Sequence, residues 1–454
     1  MNALLIVEEF VAYFKRITKP VNRRITELFT RLEKASTLQL VGFLFLYTFL
    51  IAAPMLVGFQ IDGDSERELD KDIKIFRDRA QTILDGELLY RDTEWITVTP
   101  PVINYLFVPA VLLGDTAFVW MAWFTFFLFL TSTVIYFTLE PFFDKKTAIA
   151  GSMLFSGSPF GQYTSVAMLQ DDAIIVAFLS LSLMFILRKK WYWAATALSF
   201  GTLTKLFPAL CSPLAVLGPE SPIQRIKIAV YGLSIGLLIS LPFLILAQTE
   251  FLQFIEFYLL GVQPTSSGNV SVNVSLIEQR GMSFWRFFAE SIFMIPSIVL
   301  HSILLLSLLS IWGSAWLKKI DMMSAFTLCI LAVFIFYSKI HYGYHIMLLS
   351  VLIPWSMHDA KRLWGLFGAS LLAGVVHYAW RDRLFTDNVW VHTLIAFALW
   401  CYWVNWARII LQNPNFESYC GEKRTNNTIL ITTGWIIVLC LLFTIQLGLR
   451  KAFF

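Results

Sequence analysis

The sequence predicts an all-α integral membrane protein, built as one polytopic bundle of helices. Three observations predict it. Hydrophobic residues make up 57% of the 454-residue chain and charged residues only 15%, against about 25% charged in soluble domains. The mean hydropathy is +0.67. Apolar runs recur along the whole length, many near the roughly 20 residues that a bilayer crossing takes. The formal charge of +4 is small for this length and gives no reason to expect a nucleic-acid partner. The cysteines Cys211, Cys329, Cys401, Cys420 and Cys440 show no CxxC or Cys/His spacing, so neither a disulfide framework nor a zinc site is indicated. The start of the chain is unlike a cleavable signal peptide: its apolar run carries Glu8 and Glu9 and no small-residue cleavage site follows.

Residues 1–37 are basic-leaning, with a weak amphipathic pattern at Leu4, Ile6, Phe10, Val11 and Phe14. They read as a cytoplasmic-face amphipathic segment ahead of a single transmembrane domain at 38–454. Crossings are expected near 38–58, 117–139, 147–159, 172–187, 192–217, 226–247, 288–312, 322–338, 346–357, 364–380, 389–411 and 429–448, about thirteen once the 192–217 run is divided. That run is interrupted by Lys205 and Pro208, and it divides into two short helices with Lys205 near the outer turn; one long helix with a snorkelling lysine is the alternative. VINYLFVPAVLLG after Pro101 is too short to cross and reads as a re-entrant or surface helix.

Short loops rich in lysine and arginine face the cytoplasm. Lys145/Lys146, Arg188/Lys189/Lys190, Arg225/Lys227, Lys318/Lys319, Lys361/Arg362 and Lys423/Arg424 therefore belong on one side. The first external loop (59–116), the QDD loop, the long loop at 248–285 and the KIHYGYH turn share the other. Every unusual polar cluster falls on that non-cytoplasmic face.

The most acidic and least hydrophobic stretch is Asp70–Pro101. Ile73, Phe76, Ala80, Ile83 and Leu84 recur at helical spacing and predict a short amphipathic juxtamembrane helix. It lies in the interface plane with Lys74, Arg77, Asp78 and Arg79 on its wet side. Gly86 ends it. Asp70 and Asp72 open it, and helix capping alone would account for acids there.

The whole word says more. D-x-D-x-x-I-F-x-D-x-A, then Gly86, L-Y-R-D and a double proline, resembles the first luminal loop of GPI mannosyltransferase I catalytic subunits. It is also similar to the polyprenyl-phosphate-mannose-dependent enzymes of bacterial and archaeal membranes. Both are GT-C glycosyltransferases, and the resemblance covers roughly residues 60–210 well and 330–355 thinly. It implies a GT-C bundle and transfer of a hexose, mannose first, from a polyprenyl or dolichyl phosphate. The acceptor would be a lipid-linked glycan, a glycolipid or a protein on the non-cytoplasmic face. Asp70 and Asp72 fall on the family's D-x-D, Ile75-Phe76 on its V-F and Asp78 on the acid that follows. Phe76 departs from the tyrosine of many bacterial relatives. No cofactor is implied, because the lipid-phosphate sugar is itself a substrate.

Such a transfer needs a base for the acceptor hydroxyl, cations for the phosphate and a groove for the prenyl tail. Asp72 is the first choice for the base, with Asp70 beside it; a carboxylate of ordinary pKa near 4 can accept the proton if held in reach. Arg91 and Asp92 of the LYRD word, Asp171 and Asp172 of the QDD loop, and Tyr344 are candidates for the substrate. Capping of the following helix is the plain alternative for Asp171. Lys205, in GTLTKLFP, is a membrane-depth lysine and a candidate for the donor phosphate. Lys339, His341 and His345 in FYSKIHYGYH, and Arg280 in the long loop, join it. His341 and His345 would share a helix face, yet no third ligand at matching spacing makes a metal site. The rival is a lipid flippase or transporter, which would spread charge through mid-membrane helices and show an internal repeat. Here the ionisable residues gather at one face.

Overall fold

The computed structural model describes residues 3–61, 71–94, 97–255, 283–285, 288, 293, 295–337, 340, 342–381, 389–421 and 426–453. Among them there is no strand. In chain order the helices are α1 (Ala3–Glu33), α2 (Thr37–Ile61), α3 (Lys71–Leu84), α4 (Pro101–Tyr105), α5 (Val108–Leu112), α6 (Ala117–Leu139), α7 (Lys145–Ser156) and α8 (Pro159–Gln162). A π turn at Tyr163–Ala167 leads to α9 (Asp172–Leu187) and α10 (Trp191–Thr202), and a 3₁₀ turn at Phe207–Cys211 to α11 (Ser212–Leu217). Then come α12 (Pro222–Leu246), α13 (Gln248–Ile255), α14 (Ser297–Trp316), α15 (Met322–Phe336), α16 (His345–Ser356), α17 (Ala360–Arg381), α18 (Val389–Gln412), α19 (Phe416–Cys420) and α20 (Asn427–Phe453).

Six helices among the described residues are long and apolar enough to cross a membrane: Thr37–Val57, Ala117–Leu139, Pro222–Leu246, Ile298–Trp316, Thr393–Gln412 and Asn427–Gln446. The chain is a multi-pass membrane protein. The expected thirteen crossings are not all full-length spans. Asp172–Leu187, Met322–Phe336 and His345–Ser356 are apolar helices of 10–17 residues, and the last two are buried over nearly their whole length. Hydropathy reads a short helix wrapped in protein and a lipid-facing span alike. The most lipid-facing spans are α12 and α14, where Leu233 is 74% and Ile298 71% exposed.

The break at Lys205 is observed. α10 ends at Thr202, and the chain turns through Leu203–Lys205 into the 3₁₀ turn that carries Pro208. The single long helix is excluded.

Among the described residues the basic loops gather at one end of the bundle, and Lys423/Arg424 lie outside the described residues. Lys146 Nζ meets Glu33 at 3.1 Å and Lys145 Nζ donates to the Ala35 carbonyl at 2.7 Å, joining α7 to the end of α1. Arg188 pairs with Glu140. Phe142 and Phe143 pack on Phe416, and Asp321 accepts from the Phe416 amide. Tyr419 lies against Trp355 and under the Arg362 guanidinium. α3, the start of α9 and the Lys205 turn form the opposite end.

Candidate functional site

α3 forms where the apolar spacing places it, and it closes with a Schellman turn. The Glu87 amide donates to the Thr82 carbonyl at 3.0 Å and the Gly86 amide to Ile83 at 3.2 Å. This geometry needs the left-handed φ of +73° at Gly86. Ile73, Phe76 and Ala80 are buried as expected. Their cover is protein, however, not lipid: the Phe76 ring stacks on Phe107 at 4.3 Å and lies near Trp120 and Phe124. Burying one such ring contributes roughly 1.5–3 kcal/mol. Leu84, at the end of the stripe, stays exposed.

Polar contacts fix the helix azimuth. Arg77 clamps Asp115, whose other oxygen accepts from Trp120 Nε1 at 2.9 Å. Asp115 holds a left-handed φ of +51°. Arg79 is not on the wet side: it is buried and donates to Thr99 Oγ1 at 3.1 Å. Thr99 donates on to Asn104, whose amide donates to the Pro100 carbonyl. Tyr90 donates to the Thr99 carbonyl at 2.8 Å, and burial pushes its hydroxyl well above the usual range although the Arg79 charge pulls the other way. Local periodicity could not show this knot, because the partners of Arg79 come from the double-proline turn. That turn is tied to the second half of the site: the Val102 amide donates to the Leu203 carbonyl at 2.9 Å, two residues before Lys205.

The QDD segment joins the two halves. SPFGQYTSVAML reads as a polar loop, yet it is buried almost throughout, as α8 and the π turn. From it Gln170 donates through Nε2 to Asp72 Oδ2 at 2.9 Å. The next two residues meet a different partner. Lys205 Nζ lies 3.0 Å from Asp172 Oδ1 and 3.5 Å from Asp171 Oδ1. Asp171 makes no capping bond to α9, so capping does not explain it. The Lys205 ammonium also sits 4.5 Å from the centre of the Tyr344 ring, which packs on Phe207. All four residues of this group are buried.

Asp72, Asp171, Asp172, Lys205 and Tyr344 are thus brought together around residues 170–172, from segments far apart in sequence. Lys205 finds its counter-charges in the protein, so the cost of burying its ammonium is offset without a bound anion. His345 is buried among the rings of Phe160, Phe334 and Trp403. Arg91 and Asp92 are engaged elsewhere: Arg91 bonds the Leu246 carbonyl and approaches Glu250, and Asp92 accepts from the Leu88 amide. Asp70, Arg280, Lys339 and His341 lie outside the described residues.

Searched against curated proteins, the chain has no match. One family model does match, over residues 98–246, and its description is dolichyl-phosphate-mannose-protein mannosyltransferase. That region runs from the double-proline turn through the QDD segment and Lys205 to the end of α12. The similarity to that family is confined to this third of the chain.

Proposed function

We propose that the protein transfers a hexose, mannose first, from a polyprenyl or dolichyl phosphate to a hydroxyl of a lipid-linked glycan, glycolipid or protein. The reaction would take place on the non-cytoplasmic face, the side opposite the basic loops. One observation carries the reading: Asp72 is held beside the QDD segment, which also holds the Asp171–Asp172–Lys205–Tyr344 group. An acid fit to be a base thus stands next to a cluster of polar groups fit to hold a sugar. In the proposed single displacement the acceptor oxygen attacks the anomeric carbon and Asp72 takes its proton. The bond from that carbon to the phosphate oxygen breaks, the lipid phosphate leaves and the anomer inverts. General-base action contributes about 100- to 10,000-fold.

The ion pairs refine the other roles. Two carboxylates within 3.5 Å already offset the charge of Lys205. We assign it to holding Asp171 and Asp172 for sugar hydroxyls, with Tyr344 as the wall. Lys339, His341 and Arg280 remain the candidates for the leaving phosphate.

The test is donor choice by the purified protein in lipid nanodiscs. Radiolabelled polyprenyl-phosphate mannose should be consumed, and GDP-mannose should not. Consumption of the nucleotide sugar, or none of any lipid-phosphate hexose with every acceptor class supplied, would refute the proposal.

A further inference from the structure

We propose that Gln170 is a positioning residue for Asp72: its amide holds the carboxylate in the ionised form and in one orientation for the incoming hydroxyl. The inference rests on Asp72 being the base.

Gln170 is 4% exposed. Its Nε2 donates to Asp72 Oδ2 at 2.9 Å and to the Met168 carbonyl at 3.2 Å. Both partners are acceptors, which fixes the nitrogen end of the amide toward them. A primary amide has two N–H groups, and here each has a use. The bond to Met168 ties the side chain to its own backbone, so the other bond reaches Asp72 from a fixed point. A hydrogen bond donated to a carboxylate favours its charged form, the form that can accept a proton.

The backbone that delivers the amide is unusual. Leu169 is buried and holds a left-handed φ of +52°, a conformation that costs an ordinary residue about 1–2 kcal/mol. Just before it, the π turn closes with the Met168 amide donating to the Tyr163 carbonyl at 2.9 Å. The Gln170 backbone N–H then donates to the Thr164 carbonyl at 3.1 Å. Strain of this kind persists where surrounding contacts over-determine it, and single π turns concentrate at functional sites. What the strained segment presents is one side-chain amide at Asp72 and, on the next two residues, the carboxylates at Lys205.

Gln170→Met keeps length and volume and removes the donor. Its kcat should fall about 10- to 100-fold, the range a misplaced catalytic group can cost. The KM for the lipid donor and the melting temperature should match wild type, and the loss should not add to that of Asp72→Asn. Gln170→Glu keeps the shape and sets a second carboxylate against Asp72, so it should be at least as slow; it also serves if the methionine variant does not accumulate. Normal kcat in both variants, with Asp72→Asn inactive, overturns the positioning role and leaves the base in place. A loss seen only in KM or in melting temperature also overturns it. Normal turnover by Asp72→Asn removes the base itself.

Discussion

Lys205 and Asp172 form a buried ion pair 3.0 Å long, with the Asp172 side chain wholly shielded from solvent. Breaking such a pair from one side strands the other charge, at about 3–5 kcal/mol. Lys205→Met should therefore lower the melting temperature in detergent clearly, and Lys205→Met with Asp172→Leu should melt above the single variant. An unchanged melting temperature for Lys205→Met would show that the pair does not hold the start of α9.

Arg77 and Asp115 tie α3 to the turn between α5 and α6. Arg77→Met removes the clamp but leaves the apolar face of Ile73, Phe76 and Ala80 buried, so the protein should still fold. Turnover should fall by up to about 100-fold, because a 1 Å misplacement of a reacting group can cost that much. Donor-dependent kinetics at equal protein levels measure it; full activity would mean that the clamp does not position Asp72.

The two ends of the bundle should face opposite sides of the membrane. In a background without reactive native cysteines, single cysteines at Glu94 and Ser65 should label from one side of sealed vesicles, and one at Lys318 from the other. Labelling of Glu94 and Lys318 positions from the same side would break the proposed topology.

Cys420 lies at the basic end, where burial, then the charges of Asp321 and Glu417, push its thiol up to about 12. An ordinary thiol is roughly a quarter thiolate at pH 8, whereas Cys420 is about one part in ten thousand. Its alkylation should be slow at pH 8 and should rise with pH up to about 12. Fast maleimide labelling of folded protein at pH 8 would contradict the packing of α19.

Much of this was legible in the sequence, for physical reasons. The α3 stripe and its glycine stop follow from helical period and from φ. The break at Lys205 follows from a charge and a proline in one apolar run. Other features have no local signal. Gln170 meets Asp72 across 98 residues, and nothing in QDD says that the glutamine takes Asp72 as partner and the aspartates Lys205. Arg79 looks solvated from its neighbours, yet Thr99 and Asn104 accommodate it inside the fold. The polar letters of 158–170 suggest a wet loop, but Ser158, Gln162 and Thr164 each find a backbone partner inside the fold. The number of crossings was the least legible, since a 12-residue helix inside protein and half of a lipid-facing span have the same composition.

The most direct test is Asp72→Asn, assayed in nanodiscs with radiolabelled polyprenyl-phosphate mannose and acceptor, against wild type at equal protein. The expected result is a fall in kcat of about 100- to 10,000-fold, with the donor still bound and the melting temperature close to wild type. Near-normal turnover by Asp72→Asn would contradict its place as the base.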